Sequence, residues 1–375
     1  MALTESDLIN DVNDVDRIME IAEFNTNPDE LIHAVQDNAE AIFTWNYDKG
    51  ERARLDKLYE KAKTSQWNAQ TDLDWSIDVD PYTALGVLAE GQGNDYFQRP
   101  ESPFGHFGDK EWNEFSYQSF AWRLSQFLHG EQGALLCTAK IVETVPWIDA
   151  KYYAATQVVD EARHVEVFDK YLKEKVETEY PISPHLRVLL DDIITDSRWD
   201  MTYLGMQIMV EGLALAAFGF MQQFAEDPLL KKLLRYVMAD EARHVAFGVL
   251  SLQELYPQMT QAEIRERQEF AFECGLRMRD RFLQQEVWER MGVDVRKAVK
   301  YQLDAPAEMK EFQAMLFSKI VPNTKKLGLL DAGDGWLRKR YEEIGVIQFE
   351  DWEDTTTEYE ALDGVAADRE AGALA

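Results

Sequence analysis

Residues 160–165 and 240–245 spell the same hexapeptide, Asp-Glu-Ala-Arg-His-Val, 80 positions apart. The chain has six histidines in 375 residues, and two of them occupy matching places in the copies. Each copy contains Glu-x-x-His, pairing Glu161 with His164 and Glu241 with His244. Residues three apart share a helix face, so one carboxylate and one imidazole from each copy can reach a common point. That chemistry is metal binding, and two such pairs on adjacent helices would hold two ions.

Two further carboxylates complete the set. Glu131 precedes Glu161 by 30 residues, and Glu211 precedes Glu241 by the same 30. Glu131 interrupts an apolar stripe that includes Leu124, Phe127, Leu128 and Leu135, and Glu211 interrupts one with Leu204, Ile208, Leu215 and Phe218. A lone buried carboxylate costs several kcal/mol unless it is paired or coordinated. The repeat unit is therefore a helix with a core Glu, a turn, and a helix with Glu-x-x-His. Two such hairpins present four Glu and two His to one midpoint, the ligand set of di-iron carboxylate bundles. Oxygen and nitrogen ligands suit iron or manganese, and two cysteines, Cys137 and Cys274, cannot build a thiolate zinc site. Asp160 and Asp240 are expected to accept the free ring N–H of a ligand histidine, that of the other repeat, with Arg163 and Arg243 pairing to those aspartates. Leu135, Phe168, Leu215 and Phe218 are expected to wall an apolar pocket beside the metals.

The elements that must position these residues follow from proline-free intervals rich in Ala, Leu, Met, Glu, Gln and Lys. They predict helices over 110–145, 147–178, 186–226 and 229–256. A fifth helix starts at a Thr260–Glu263 capping box and runs to about Met291. Amphipathic patterns predict helices over 4–23, 28–46 and 50–66. Residues 70–108 read as irregular with a short helix near 82–91, and shorter helices fall between 296 and 345. No alternating strand pattern stands out. The expected fold is all-α, a four-helix bundle with additional helices at both ends. It divides into an N-terminal helical extension (1–105), the bundle with a flanking helix (106–295), a C-terminal helical extension (296–350) and an acidic tail (351–375) read as disordered.

Composition removes several function classes. Asp and Glu total 69 against 39 Lys and Arg, a net charge of −30. That charge excludes nucleic acid and anionic lipid as partners. Between Met201 and Ala225 the only charged residue is Glu211, a stretch long enough to span a bilayer. Gln207, Gln222 and Gln223 interrupt it and no Lys or Arg anchors its ends, so it reads as a buried bundle helix rather than a membrane span. The acidic first thirty residues do not read as a signal peptide, and a reducing cytoplasm is the expected location.

With these motifs in place, the chain resembles the ferritin-like di-iron carboxylate superfamily over about 110–255. In its Asp-Glu-x-Arg-His form it is most similar to the hydroxylase large subunit of bacterial multicomponent monooxygenases. The resemblance implies two iron ions, with manganese the alternative at one or both positions. It implies that Glu161 and Glu241 bridge the ions while Glu131 and Glu211 bind one ion each. It also implies an O2-dependent oxidoreductase of the monooxygenase type, hydroxylating or N-oxygenating an apolar or aromatic small molecule. An electron-donor protein, a ferredoxin or reductase, would supply it, and a homodimer is an open option. Four positions depart from known subfamilies. Leu215 stands where the monooxygenases have Thr, and Phe168 where the ribonucleotide reductase small subunit has its radical Tyr. Val237 stands where arylamine N-oxygenases carry an extra His, and Ala214 where acyl-carrier-protein desaturases have Thr. Two other readings stay open: a ferroxidase or peroxide-scavenging ferritin-like protein, and a non-catalytic helical scaffold.

Overall fold

The computed structural model describes residues 11–24, 26–27, 30, 32–85, 96–306, 310–360 and 362. Among them there is no strand. The helices are α1 (Val15–Ala22), α2 (Ala53–Thr64), α3 (Asp109–Thr144), α4 (Ile148–Tyr171), α5 (Pro184–Thr195), α6 (Trp199–Phe224), α7 (Pro228–Leu255) and α8 (Gln261–Arg281). They continue as α9 (Gln285–Arg290), α10 (Val295–Leu303), α11 (Glu311–Met315), α12 (Ile320–Lys326), α13 (Trp336–Glu343) and α14 (Thr355–Glu358). α3 packs along α4 and α6 along α7, and the two hairpins close on each other to form the bundle.

Local chemistry sets the turns. Val145-Pro146-Trp147 separates α3 from α4, because proline removes a donor and disfavours helix in the residue before it. Between α6 and α7, Pro228 occupies the first turn and Asp227 caps it. The Asp227 carboxylate accepts the N–H groups of Leu229 and Leu230 and, at 2.6 Å, the hydroxyl of Tyr171 on α4. Asp227→Ala leaves three donors without that acceptor. It is expected to cost about 2 kcal/mol, read from the denaturation midpoint at unchanged slope.

α6 lies inside the bundle. It is the one helix among the described residues long and apolar enough to cross a membrane, and 83% of its most apolar window is buried in the protein. Within it, Leu204–Val210 is wound as a π-helix that ends at Glu211. α7 approaches this stretch at Gly248, where a β-carbon would lie 2.7 Å from that of Gln207. Stretches of π-helix are frequent at functional sites, because the extra residue per turn re-aims the side chains that follow.

Several expectations change. The helix expected over 186–226 breaks at Asp196–Arg198, where the Asp196 carboxylate accepts the backbone N–H of Arg198 and pairs with its guanidinium. That local side-chain bond competes with helix continuation. The helix from Thr260 keeps its capping box but ends at Arg281, and Gln284 takes a left-handed conformation (φ 56°) before α9 restarts. Residues 30 and 32–46 are not helical. There Asp37 and Thr44 accept backbone N–H groups two residues on. The segment is tied to the bundle by Ile42 N–H to the Glu143 carbonyl and by Lys140 with Asp37. Residues 4–10 of the first expected helix, and 86–91 of the short one, lie outside the described residues.

The expected disordered tail also differs at its start. Residues 351–360 are described and carry α14, where Thr355 donates twice to Asn323 Oδ1 and Glu358 pairs with Lys319 at 2.6 Å. Buried Asn323 offers an acceptor that composition does not reveal.

Candidate metal centre

α3 carries Glu131, α4 carries Glu161 and His164, α6 carries Glu211, and α7 carries Glu241 and His244. All six side chains are buried. They form two overlapping groups, one of Glu131, Glu161, His164 and Glu241, the other of Glu161, Glu211 and His244. In each group the ligand atoms lie within 4.8 Å of one another.

The two bundle-centre glutamates each lie between both imidazoles. His164 Nδ1 is 3.4 Å from Glu161 Oε2 and 3.0 Å from Glu241 Oε1. His244 Nδ1 is 3.1 Å from Glu161 Oε1 and 3.6 Å from Glu241 Oε2. Glu131 stands on the His164 side at 3.3 Å, and Gln157 Nε2 joins Glu161 Oε1 to Glu211 Oε1.

The opposite ring nitrogens are held crosswise. His164 Nε2 meets Asp240 at 3.2 Å, and His244 Nε2 meets Asp160 at 3.3 Å, so each imidazole is fixed by the aspartate of the other repeat. A ring N–H at Nε2 donating to the aspartate leaves the Nδ1 lone pair facing the carboxylates. Arg163 bonds Asp160 at 2.5 Å and Asp240 at 2.9 Å, and Arg243 bonds Asp240 and stands 3.7 Å from Asp160. Two aspartates and two arginines balance one another in the dry interior.

Two contributors escaped the sequence reading because they come from outside the repeats. Trp67 Nε1 donates to Asp240 at 2.8 Å, and Gln66 bridges Asp160 and Arg163. Both follow α2, and nothing in their spacing relates them to the hexapeptides. Trp67→Phe keeps the ring against Arg163 and Tyr236 but removes the N–H. It is expected to weaken metal binding about tenfold, measured by competition with a chelator.

Proton affinities within the cluster depart far from their ordinary values. Burial and the Glu241 charge push Glu131 up to about 8. Burial, then Glu161 and Glu241, raise Glu211 well above its usual range. His164 and His244 sit well above an ordinary imidazole, because their bonds and charges outweigh burial. Burial opposes ionisation of Glu161, yet His244 and His164 hold it below the usual carboxylate range.

The donor set fits two cations. Glu161 Oε2, Glu211 Oε2, both oxygens of Glu241 and His244 Nδ1 are buried without an aligned hydrogen-bond partner. Buried oxygens and a nitrogen a few ångströms apart, without aligned hydrogen-bond partners, are what coordination satisfies. Four carboxylates match the charge of two dications, and hard oxygen with imidazole suits iron or manganese.

The pocket differs from expectation. Phe168, Leu215 and Phe218 are buried, with Phe127 packed 6.0 Å from Phe168 and 4.6 Å from Phe218, and Leu135 is half-buried. None of the four lines the cavity beside the centre, which holds about 20 Å3. Its walls include Phe127, Gly130, Ala134, Val210, Ala214 and Arg281, together with Glu131, Glu211 and Glu241. Ala134 and Ala214, three residues after the glutamates rather than four, are the ones that face it, and their small side chains leave the space.

A family profile described as P-aminobenzoate N-oxygenase AurF matches residues 140–328. No curated protein matches the chain significantly by sequence. Two solved structures of R2-like ligand-binding oxidases are similar. One, with an anaerobically reconstituted Mn/Fe cofactor, is 18% identical, covers 76% of this chain and 95% of its own, and has a TM-score of 0.45. The other, with an aerobically reconstituted metal cofactor after photoconversion, is 16% identical with the same coverage and TM-score.

Proposed function

The chain belongs to the AurF family of p-aminobenzoate N-oxygenases, and on that premise we propose that it uses O2 and a di-iron centre to oxidise the nitrogen of an aromatic amine. Glu131, Glu161, His164, Glu211, Glu241 and His244 would hold the two ions. When bound, that pair supplies the electrons and the oxygen-binding site that organic side chains lack. The balanced reaction joins amine, O2, two electrons and two protons to give hydroxylamine and water. An external donor, a ferredoxin or reductase, provides the electrons. Manganese at either position is the alternative metal.

The residues of the chain do the positioning. Glu161 and Glu241, each beside both imidazoles, would be the ligands shared by the two ions. Asp160 and Asp240 hold the ring N–H groups away from the centre, so that both Nδ1 atoms stay available to metal. Phe127, Val210, Ala134 and Ala214 give the small cavity beside the centre its apolar walls. Val237, where other arylamine N-oxygenases place an additional histidine, is buried and supplies no ligand. The six residues named above are the protein groups that would hold the pair.

The crosswise fixing of two imidazoles around two buried carboxylates is the observation that carries this reading. The test is a single-turnover reaction of reduced, iron-loaded protein with 18O2 and 4-aminobenzoate or aniline. The expected product is the hydroxylamine or its further oxidation product carrying 18O, absent with Glu161→Ala. Rapid ferrous oxidation that releases iron and leaves every amine intact would instead indicate an iron-handling protein.

A further inference from the structure

We propose that the rings of Phe247, Tyr203, Trp199 and Trp147 form an escape route, by which an oxidising equivalent leaves the metal centre for the surface when no amine is present to take it. The inference rests on the O2-using centre proposed above and adds a second function, protection of the metal ligands themselves. Phe247 stands on α7 three residues after His244, so the two share a helix face. Its ring centroid is 5.0 Å from that of Tyr203 on α6, and Tyr203 is 5.5 Å from Trp199 at the start of the same helix. Trp199 is 5.2 Å from Trp147, in the turn between α3 and α4. Tyr153 of α4 flanks the inner end, 4.5 Å from Phe247. Phe247 and Tyr203 are fully buried, whereas Trp199 and Trp147 are half-buried. The column begins one helical turn from a metal ligand and ends at solvent.

The ring types decide where a hole can rest. Electron transfer weakens exponentially with the gap between π systems, so rings in edge contact bridge a span that an aliphatic core would block. A phenol must shed its proton when it is oxidised. Tyr203 Oη is buried without an aligned hydrogen-bond partner among the described residues, and burial raises its pKa. Phe247 is harder still to oxidise. These two rings pass the electron without holding the hole. An indole gives up an electron and keeps its proton, so Trp199 is the first ring where the hole can stay. At Trp147 solvent can take the N–H proton. The Arg52 guanidinium lies 4.3 Å from the Trp147 ring and works against a cation there, but Glu254 pairs with Arg52 at 2.5 Å, and the radical left by proton loss is neutral. Trp67, on the other side of the centre, is a poorer exit. It is itself buried, the ring next to it, Tyr236 at 5.2 Å, is buried as well, and the Arg163 guanidinium 4.7 Å away disfavours a radical cation.

The electrons balance. The centre, oxidised by O2 with no amine to receive the oxygen, takes one electron from Trp199 and is reduced by one. Trp147 passes one electron to Trp199 and releases one proton to water. A soluble thiol returns one electron and one proton to Trp147, and two thiyl radicals then join as a disulfide. In the chain itself one N–H bond is lost and regained.

The test adds O2 to reduced, iron-loaded protein without amine and freezes samples over time for electron paramagnetic resonance. A matched sample carries ring-deuterated tryptophan. The expected result is a tryptophan radical whose lines narrow on deuteration and which a soluble thiol abolishes, with oxygenated Trp147 or Trp199 in peptide mass spectra. Trp199→Phe should lose the signal and move the oxidative damage to the peptides that carry the metal ligands, from an unchanged starting iron content. Tyr203→Phe should keep the signal and Tyr203→Leu should lose it, because the ring matters and the hydroxyl does not. Absence of a tryptophan radical in the wild type overturns the proposal. So does a radical that vanishes in Trp67→Phe, or one that survives in Trp199→Phe. Should Trp199→Phe fail to fold, the wild type and the two Tyr203 variants decide. A radical on the column with every amine left intact upholds the route and ends the N-oxygenase reading. Amine oxygenation in a protein whose tryptophans stay unoxidised even without amine does the reverse.

Discussion

Glu161→Ala is expected to leave the protein with almost no tightly held metal, because this carboxylate faces both imidazoles. Its Oε1 is 3.1 Å from His244 Nδ1 and its Oε2 is 3.4 Å from His164 Nδ1. On the proposed assignment, removing it takes a ligand from both ions at once and leaves Glu131, Glu211 and Glu241 to repel one another. Affinity for each ion should fall by well over about a hundredfold, beyond the range seen for residues that merely support ligands. Glu131→Ala, by contrast, touches one group only and should retain about one ion per chain. Elemental analysis of protein purified from iron-supplemented cells measures both stoichiometries. Two ions per chain in Glu161→Ala would mean that Glu161 is not shared.

Metal removal should reverse the pH dependence of stability. In the metal-free protein Glu131 is raised to about 8, and Glu211, His164 and His244 are also raised. A group whose folded pKa exceeds its unfolded value contributes stability that is complete below the unfolded pKa. That stability is lost as pH climbs through the folded pKa. For the glutamates the loss starts above their ordinary value of 4.5 and, for Glu131, continues to about 8. For the histidines it starts above 6.5. Glu161 and Asp240, both lowered, have already given their full contribution above about pH 5. Metal-free protein should therefore melt progressively lower between pH 5 and about 8. Metal must displace the protons on those same groups, so its affinity climbs over that window, by about a hundredfold per pH unit if two protons leave. At metal concentrations about a thousandfold above Kd, each ion adds about 4 kcal/mol. The melting curves of loaded and metal-free protein should diverge as pH increases. Parallel curves across pH 5 to 8 would show that these groups do not bind the cations.

Much of this was legible in the sequence, for a physical reason. A duplicated polar hexapeptide within apolar helices has few uses other than an internal polar site, and equal 30-residue gaps place the other two glutamates at the same height. Three of the four long helices follow from proline placement; the third in order, expected over 186–226, breaks at Asp196–Arg198 where no proline stands. The family profile agrees with the oxygenase class read from the motifs and places the chain in the AurF family. What stayed hidden depends on contacts between distant segments. Trp67 reaches Asp240 across 173 residues, and Arg281 reaches the cavity from a helix beyond the repeats. The break at Asp196 and the non-helical run 32–46 were hidden differently. There, short polar side chains capture nearby backbone groups and overrule helix propensity. The cavity walls were misjudged by one residue on each helix, since four-residue spacing points to Leu135 and Leu215 while the open space belongs to Ala134 and Ala214.

The crosswise bonds carry a consequence for how the molecule can be taken apart. His164 leans on Asp240 and His244 on Asp160, so neither hairpin is self-sufficient: each contributes imidazole to a pair whose tautomer the other dictates. A chain severed within 177–183, between the hairpins, would give two pieces that are inert alone. Mixed, they are expected to regain metal together, read by elemental analysis of each piece and of the mixture. The duplication written in the primary structure is thus also an obligate partnership between its halves.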